Sequence, residues 1–132
     1  MESAILREIA SRHGVCLMLQ HGSTVTGRVH AKSDVDIAAQ FESDGNLFSQ
    51  AAELGADLQE YYPGREVDVA VINRADPLFL KKVLERCQLL HGSTRALAEL
   101  RMYAFRRYQD HRRFLALEPL FVTRSLERSA PR

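Results

Sequence analysis

The chain reads as an α/β domain: a small mixed β-sheet flanked by helices and closed by a long C-terminal helix. Three observations predict it. Short apolar or alternating runs, Val15–Gln20, Asp34–Phe41 and Glu66–Ile72, are of strand length, and they are separated by stretches with apolar residues at helical spacing. The resulting order, αβ(loop)βαβα(β)α, interleaves the two element types as layered α/β domains do. The chain has 132 residues, 45% hydrophobic and 27% charged, which is the size and composition of one ordinary globular domain.

Each element has its own signal. Glu2–His13 places Ile5, Leu6 and Ile9 on one helical face, and Gly14 stops it. Val15–Gln20 is a continuous apolar run, which suits a buried strand. His21–Lys32 is polar with two glycines and reads as a loop, with room for one helical turn. Asp34–Phe41 starts in alternation and turns apolar, a second strand. Leu47, Ala51, Leu54, Leu58 and Tyr61 make Asn46–Tyr62 a helix, ended by Pro63-Gly64. In Glu66–Ile72 the valines 67, 69 and 71 face one way; Glu66, Asp68 and Ala70 face the other. Asp76-Pro77 is a helix start, an N-cap followed by proline at the first position, for a helix reaching about Arg86. Cys87–Leu90 suits a short edge strand, and His91-Gly92-Ser93 a turn. A long helix follows from Ser93 or Thr94, with Leu97, Leu100, Ala104 and Leu115 on its buried face, ending before Pro119. Residues 1–118 are expected to form the domain, and residues 119–132 a frayed or disordered basic tail.

Composition excludes several classes. No apolar stretch approaches the ~20 residues that span a bilayer. The first ten residues carry three charges and no apolar core, so no secretory leader is expected. Cys16 and Cys87 are far apart, lack CxxC spacing, and read as two buried small hydrophobes in a reducing cytoplasm. Charge is uneven. Residues 1–94 hold nine Lys/Arg against thirteen Asp/Glu, a net −4; residues 95–132 hold nine Arg against four Asp/Glu, a net +5. The basic end is either a docking surface for an anionic partner or a solvated helix face.

The chemistry is concentrated in His21–Asp36, HGSTVTGRVHAKSDVD. Gly22-Ser23 closes the first strand, ten residues intervene, and Asp34-Val35-Asp36 opens the second. Carboxylates at i and i+2 on a strand project from one face, about 6–7 Å apart at the backbone from a rise of ~3.3 Å per residue. Such a pair repels itself unless solvated or bridged by a cation, and all-oxygen ligation suits Mg²⁺ completed by substrate phosphates. Gly-Ser at a strand end lets a phosphate approach the backbone and adds a hydroxyl donor. Asp68, on the polar side of the third strand, supplies a third carboxylate if that strand lies beside the second. His21 and His30 flank the loop and read as solvent-facing.

The pattern G-S-x10-D-x-D, followed by an aspartate on a later strand, resembles the nucleotidyltransferase superfamily that includes DNA polymerase β. Among its members a chain this short is similar to the minimal nucleotidyltransferases, the MntA-type antitoxins encoded beside HEPN-domain toxins. The resemblance spans about residues 5–117 and implies a nucleotidyltransferase fold. It implies that Gly22 and Ser23 hold the phosphates of a nucleoside triphosphate, that Asp34 and Asp36 bind two Mg²⁺, and that Asp68 binds the catalytic metal and accepts the proton of the attacking hydroxyl. The implied activity is transfer of AMP from ATP to a tyrosine of a cognate HEPN toxin, in the cytoplasm, with no membrane partner and no direct nucleic-acid binding. Basic residues that many minimal members carry directly after Gly-Ser and two further on are replaced here by Thr24 and Thr26, leaving Arg28 and Lys32 as the loop's cations, the residues expected to bind the nucleotide by neutralising its triphosphate. The alternatives are an antitoxin that binds nucleotide and acts by occlusion without transfer, and transfer to a small-molecule hydroxyl.

Overall fold

The computed structural model describes residues 3–22 and 34–129. Four helices and four strands follow one another as α1 (Ala4–Arg12), β1 (Val15–His21), β2 (Val35–Phe41), α2 (Leu47–Tyr61), β3 (Val67–Val71), α3 (Pro77–Glu85), β4 (Cys87–His91) and α4 (Thr94–Ser129). The strands form one mixed sheet in the order β3-β2-β1-β4. β1 runs antiparallel to both β2 and β4, and β2 runs parallel to β3 across the α2 crossover. The α/β reading, with its small mixed sheet and long C-terminal helix, is borne out.

Caps fix where the helices begin. The Ser3 hydroxyl accepts from the Leu6 amide at 3.5 Å, and the Asn46 side chain from the Ser49 amide at 3.1 Å. Asp76 accepts from the Leu78 amide at 2.8 Å ahead of Pro77, the capped start that the Asp-Pro pair foretold. The Ser93 hydroxyl accepts from the Ala96 amide at 3.0 Å, so the His91-Gly92-Ser93 turn also launches α4.

Strand alternation sorts side chains onto two faces. Val35, Ile37 and Ala39 of β2 and the valines of β3 face α1 and α2, around Leu6, Ile9, Leu54 and Leu58. Leu17, Leu19 and Ala38 face the other way, against Leu80, Val83 and Leu84 of α3 and Leu97, Leu100 and Ala104 of α4. A register shift between Val15 and Leu17 lets Val15 and Met18 share the first face. Core leucines such as Leu17 and Leu80 are almost wholly buried, and truncating side chains of that kind to alanine costs about 2–5 kcal/mol. The sheet is therefore the middle of three layers, and Asp36 and Asp68, offset by one residue from the buried valines, belong to the α3/α4 side.

Three expectations are corrected. α4 does not stop before Pro119 but runs to Ser129. An internal proline costs a helix one hydrogen bond and a clash with the carbonyl four residues back, which disfavours the helix without obliging it to end. Leu115 is 43% exposed rather than part of the buried face, because contact between α4 and the core ends near Ala104. The two cysteines are half-buried rather than buried: the Cys16 thiol donates to the Gln40 carbonyl at 3.3 Å, and the Cys87 sulfur lies 3.6 Å from the Arg101 guanidinium.

Candidate functional site

The site is built where the C-terminal end of β1 meets the N-terminal ends of β2 and β3. His21, the last residue of β1, is the register partner of Asp36, and Asp36 is the register partner of Asp68. One row across three strands thus reads His21–Asp36–Asp68. Register partners on paired strands project from the same face, with neighbouring strands ~4.8 Å apart, so the two carboxylates stand side by side. The Val35 amide donates to the Glu66 carbonyl at 2.8 Å, locking the first rung of the parallel ladder one residue below them.

Gly22 continues from His21 with a φ of +82°, a left-handed conformation that favours glycine. A Cβ at this position would overlap the Asp36 carboxylate oxygen Oδ2. Gly22 is packed directly against the Asp36 carboxylate, and only a residue without a side chain permits that approach.

A cavity of ≈ 490 Å³ opens over the row. Its floor is His21, Gly22, Asp36, Asp68 and Ala70; its wall is α3, through Phe79, Lys82, Val83 and Glu85, with the C-cap Arg86. Val83 and Leu80 anchor that wall in the core, so the polar residues on the same turns are held at the opening. The Phe79 ring meets the His21 imidazole edge-on, with centroids 6.1 Å apart and planes at 86°. Burial pushes the His21 pKa below its ordinary value, and nearby Lys82 adds to the effect; Asp36 and Asp68 pull the other way without prevailing. The net shift favours the neutral imidazole.

The sequence-predicted residues fall into three groups. Gly22, Asp36 and Asp68 are brought together at the cavity floor. Asp34 lies one residue ahead of β2, exposed, and does not line the cavity. Ser23, Arg28 and Lys32, together with His30, lie outside the described residues. His21 departs from its solvent-facing reading. β1 extends one residue beyond the apolar run, which carries His21 onto the ladder and beneath Phe79. The continued alternation Leu17, Leu19, His21 was the available signal. The α3 wall was not read from sequence at all, although Phe79, Lys82, Val83 and Arg86 follow the i, i+3, i+4, i+7 spacing of a single helix face.

Among the described residues no group of three or more His, Cys, Asp and Glu side chains could by itself hold a metal ion. The donor chemistry still fits Mg²⁺, which takes one or two carboxylates, keeps several waters and draws its other ligands from substrate phosphates. Asp36 and Asp68 are such a pair, all oxygen and open to a cavity.

A glycine strand end beside paired strand aspartates is the arrangement of a nucleotidyl-transfer domain. The family model described as "Polymerase beta, Nucleotidyltransferase" matches residues 5–96, and the chain belongs to that family. The match covers β1, β2 and β3 and the whole cavity. No curated protein matches the chain. Among solved structures, the fold is similar to a chain of a toxin–antitoxin crystal structure with AMP-PNP: TM-score 0.71, 19% identity, covering 89% of this chain and 96% of that one. It is also similar to a chain of a toxin–antitoxin MntA–HpeT mutant, with TM-score 0.68 and 18% identity over 86% and 94% of the two chains. A third similar structure holds a tri-AMPylated Shewanella oneidensis HEPN toxin in complex with MNT antitoxin, with TM-score 0.63, 17% identity, and 86% and 91% covered. The shared property at these identities is the nucleotidyltransferase fold.

Proposed function

We propose that this protein is a minimal nucleotidyltransferase antitoxin that transfers AMP from ATP to a tyrosine hydroxyl of a cognate HEPN toxin in the cytoplasm. The observation that carries the reading is the in-register pair Asp36–Asp68 directly beneath the Gly22 turn, at the mouth of a cavity. Similarity to chains from toxin–antitoxin complexes, one with AMP-PNP and one with an AMPylated HEPN toxin, supports the choice of nucleotide and acceptor.

In the transfer, the tyrosine oxygen bonds to the α-phosphorus, the α–β phosphoanhydride bond breaks, and pyrophosphate leaves. Gly22 lets the chain pass close to the phosphates, and the Ser23 hydroxyl donates to them. Asp34, Asp36 and Asp68 would hold two Mg²⁺. When bound, the cations lower the cost of deprotonating a phenol near pKa 10 and offset charge on the leaving pyrophosphate. Asp68, on the strand farther from Gly22, takes the phenolic proton. His21 braces the row against Phe79.

The test is co-expression with the product of the neighbouring gene, followed by intact mass spectrometry of that product. Mass increments of AMP on a tyrosine, abolished by Asp36→Asn in a protein that still folds and binds the toxin, are expected. An unchanged adduct in that variant would sink the metal assignment. The occlusion reading draws on a separate observation, the exposed apolar face of α4 with Met102 and Phe105; a tight complex that never acquires AMP under ATP and Mg²⁺ would select it.

A further inference from the structure

The cavity wall carries two cations that no role described so far uses. Lys82, in the last turn of α3, and Arg86, the residue that caps the end of that helix, both line the cavity with Asp36 and Asp68. Their neighbours are already engaged. Lys81, on the adjacent face, ion-pairs with Glu85 at 2.5 Å and lies over the Tyr108 ring of α4, 4.9 Å from its centroid. Among the described residues, neither Lys82 nor Arg86 takes part in an ion pair. Lys82 is nevertheless close enough to act on the His21 imidazole across the opening.

Two exposed cations across a cavity from a half-buried and an exposed carboxylate, without ion pairing between them, leave both sets available to a ligand of mixed character. A triphosphate with its metal is one: the carboxylates take the cation, and the lysine and arginine take the phosphate oxygens. An arginine presents a planar fork to phosphate and a lysine a mobile point charge, so the two are complementary contacts for a chain of phosphates. The helix that carries Lys82 and ends at Arg86 is anchored in the core by Leu80 and Val83, which favours in-line geometry.

We propose that Lys82 and Arg86 form the polyphosphate clamp of this site, binding the β- and γ-phosphates of the nucleoside triphosphate from the α3 wall opposite Gly22. The assignment rests on the nucleotidyltransferase reading for its ligand, while the clamp itself is defined by the cavity. The α-phosphate lies with the aspartates, so the clamp holds the part of the substrate that leaves as pyrophosphate.

The experiment measures calorimetric binding of inorganic tripolyphosphate, ATP and AMP, each with Mg²⁺, to the full chain and to Lys82→Ala, Arg86→Ala and the double variant. Arg74→Ala serves as a charge control away from the cavity. Each single change is expected to weaken tripolyphosphate and ATP about ten-fold, as loss of a charge-assisted contact does. AMP, which lacks the clamped phosphates, should change by less than about two-fold, Arg86→Lys should recover part of the loss, and Arg74→Ala should have no effect. Circular dichroism should be unchanged, because both side chains are exposed. A double variant that binds tripolyphosphate and ATP like the wild type overturns the clamp, and if that variant also loses the toxin, the two cations are partner contacts instead. Wild-type tripolyphosphate binding that depends on Lys82 and Arg86, without AMP transfer, would support the clamp and sink the transferase reading. Wild-type protein that binds neither ligand overturns both.

Discussion

At Gly22 one added methyl group would act twice. It would force an L side chain into a left-handed backbone, at roughly 1–2 kcal/mol, and it would collide with Oδ2 of Asp36. Gly22→Ala should therefore lower stability by about that amount and displace the carboxylate, so that Mg²⁺-ATP affinity falls by more than ten-fold; thermal melts with and without ATP would read both. A variant with wild-type ATP-induced stabilisation would show that the turn does not position Asp36. Asp68 invites a different test. Its place beside Asp36 on the strand farther from Gly22 suits the attacking hydroxyl better than the incoming phosphates. Asp68→Asn should lower the transfer rate by at least a hundred-fold while changing ATP affinity by less than about five-fold, in single-turnover assays set against equilibrium binding. Equal losses in both would make Asp68 a ground-state ligand. The meeting of Gly22, Asp36 and Asp68 was legible in the sequence because it depends on spacing along strands. Lys82 and Arg86 were not, since an exposed cationic stripe on a helix looks the same whether it faces solvent or a cavity.

Elements place these residues, and here legibility followed period. Strict alternation in Glu66–Ile72 and the Asp-Pro helix start were sufficient to locate β3 and α3 within a residue or two. The order β3-β2-β1-β4 was not written in any one segment. It arises because α2 crosses between two parallel strands, leaving β1 to pair on the free side of β2. That order is what turns two distant aspartates into neighbours. The α1/α2 layer depends in part on Asp57, whose carboxylate takes a 2.5 Å contact from His13 Nε2 and a 3.1 Å bond from Arg12. The His13 hydrogen bond foremost, with the Arg12 charge and hydrogen bond, holds the Asp57 pKa below its ordinary 3.8. A depressed folded-state value means the contribution is fully present above the unfolded pKa and is lost as pH falls through the folded one. Asp57→Asn should thus melt earlier than wild type at pH 7, and the difference should close below about pH 4. A gap that persists in acid would trace the loss to packing rather than to the carboxylate.

Across the whole molecule, charge is spread unevenly along the chain. Residues 1–94 carry the acidic excess; α4 carries arginines 101, 106, 107, 112 and 113, every one exposed. No helix among the described residues is long and apolar enough to cross a membrane. Interleaved with the arginines are large exposed apolar residues: Met102 at 60%, Phe105 at 61% and Phe114 at 64%. Apolar anchors ringed by arginine are the composition of an interface core, in which a few buried side chains carry most of the binding energy. The basic rim would speed encounter with an acidic partner. If the HEPN toxin is that partner, Phe105→Ala and Met102→Ala should each weaken the complex ten-fold or more. They should leave the melting temperature of the isolated protein nearly unchanged, because both side chains are already in solvent. ATP affinity should stay within about two-fold, since neither residue lines the cavity. Arg106→Ala should act differently, slowing association at low ionic strength and losing its effect as salt screens the charge over a Debye length of about 10 Å at 0.1 M. Surface plasmon resonance against the purified toxin at two salt concentrations separates the two behaviours. Unchanged dissociation rates in the Phe105 and Met102 variants would move the interface off α4.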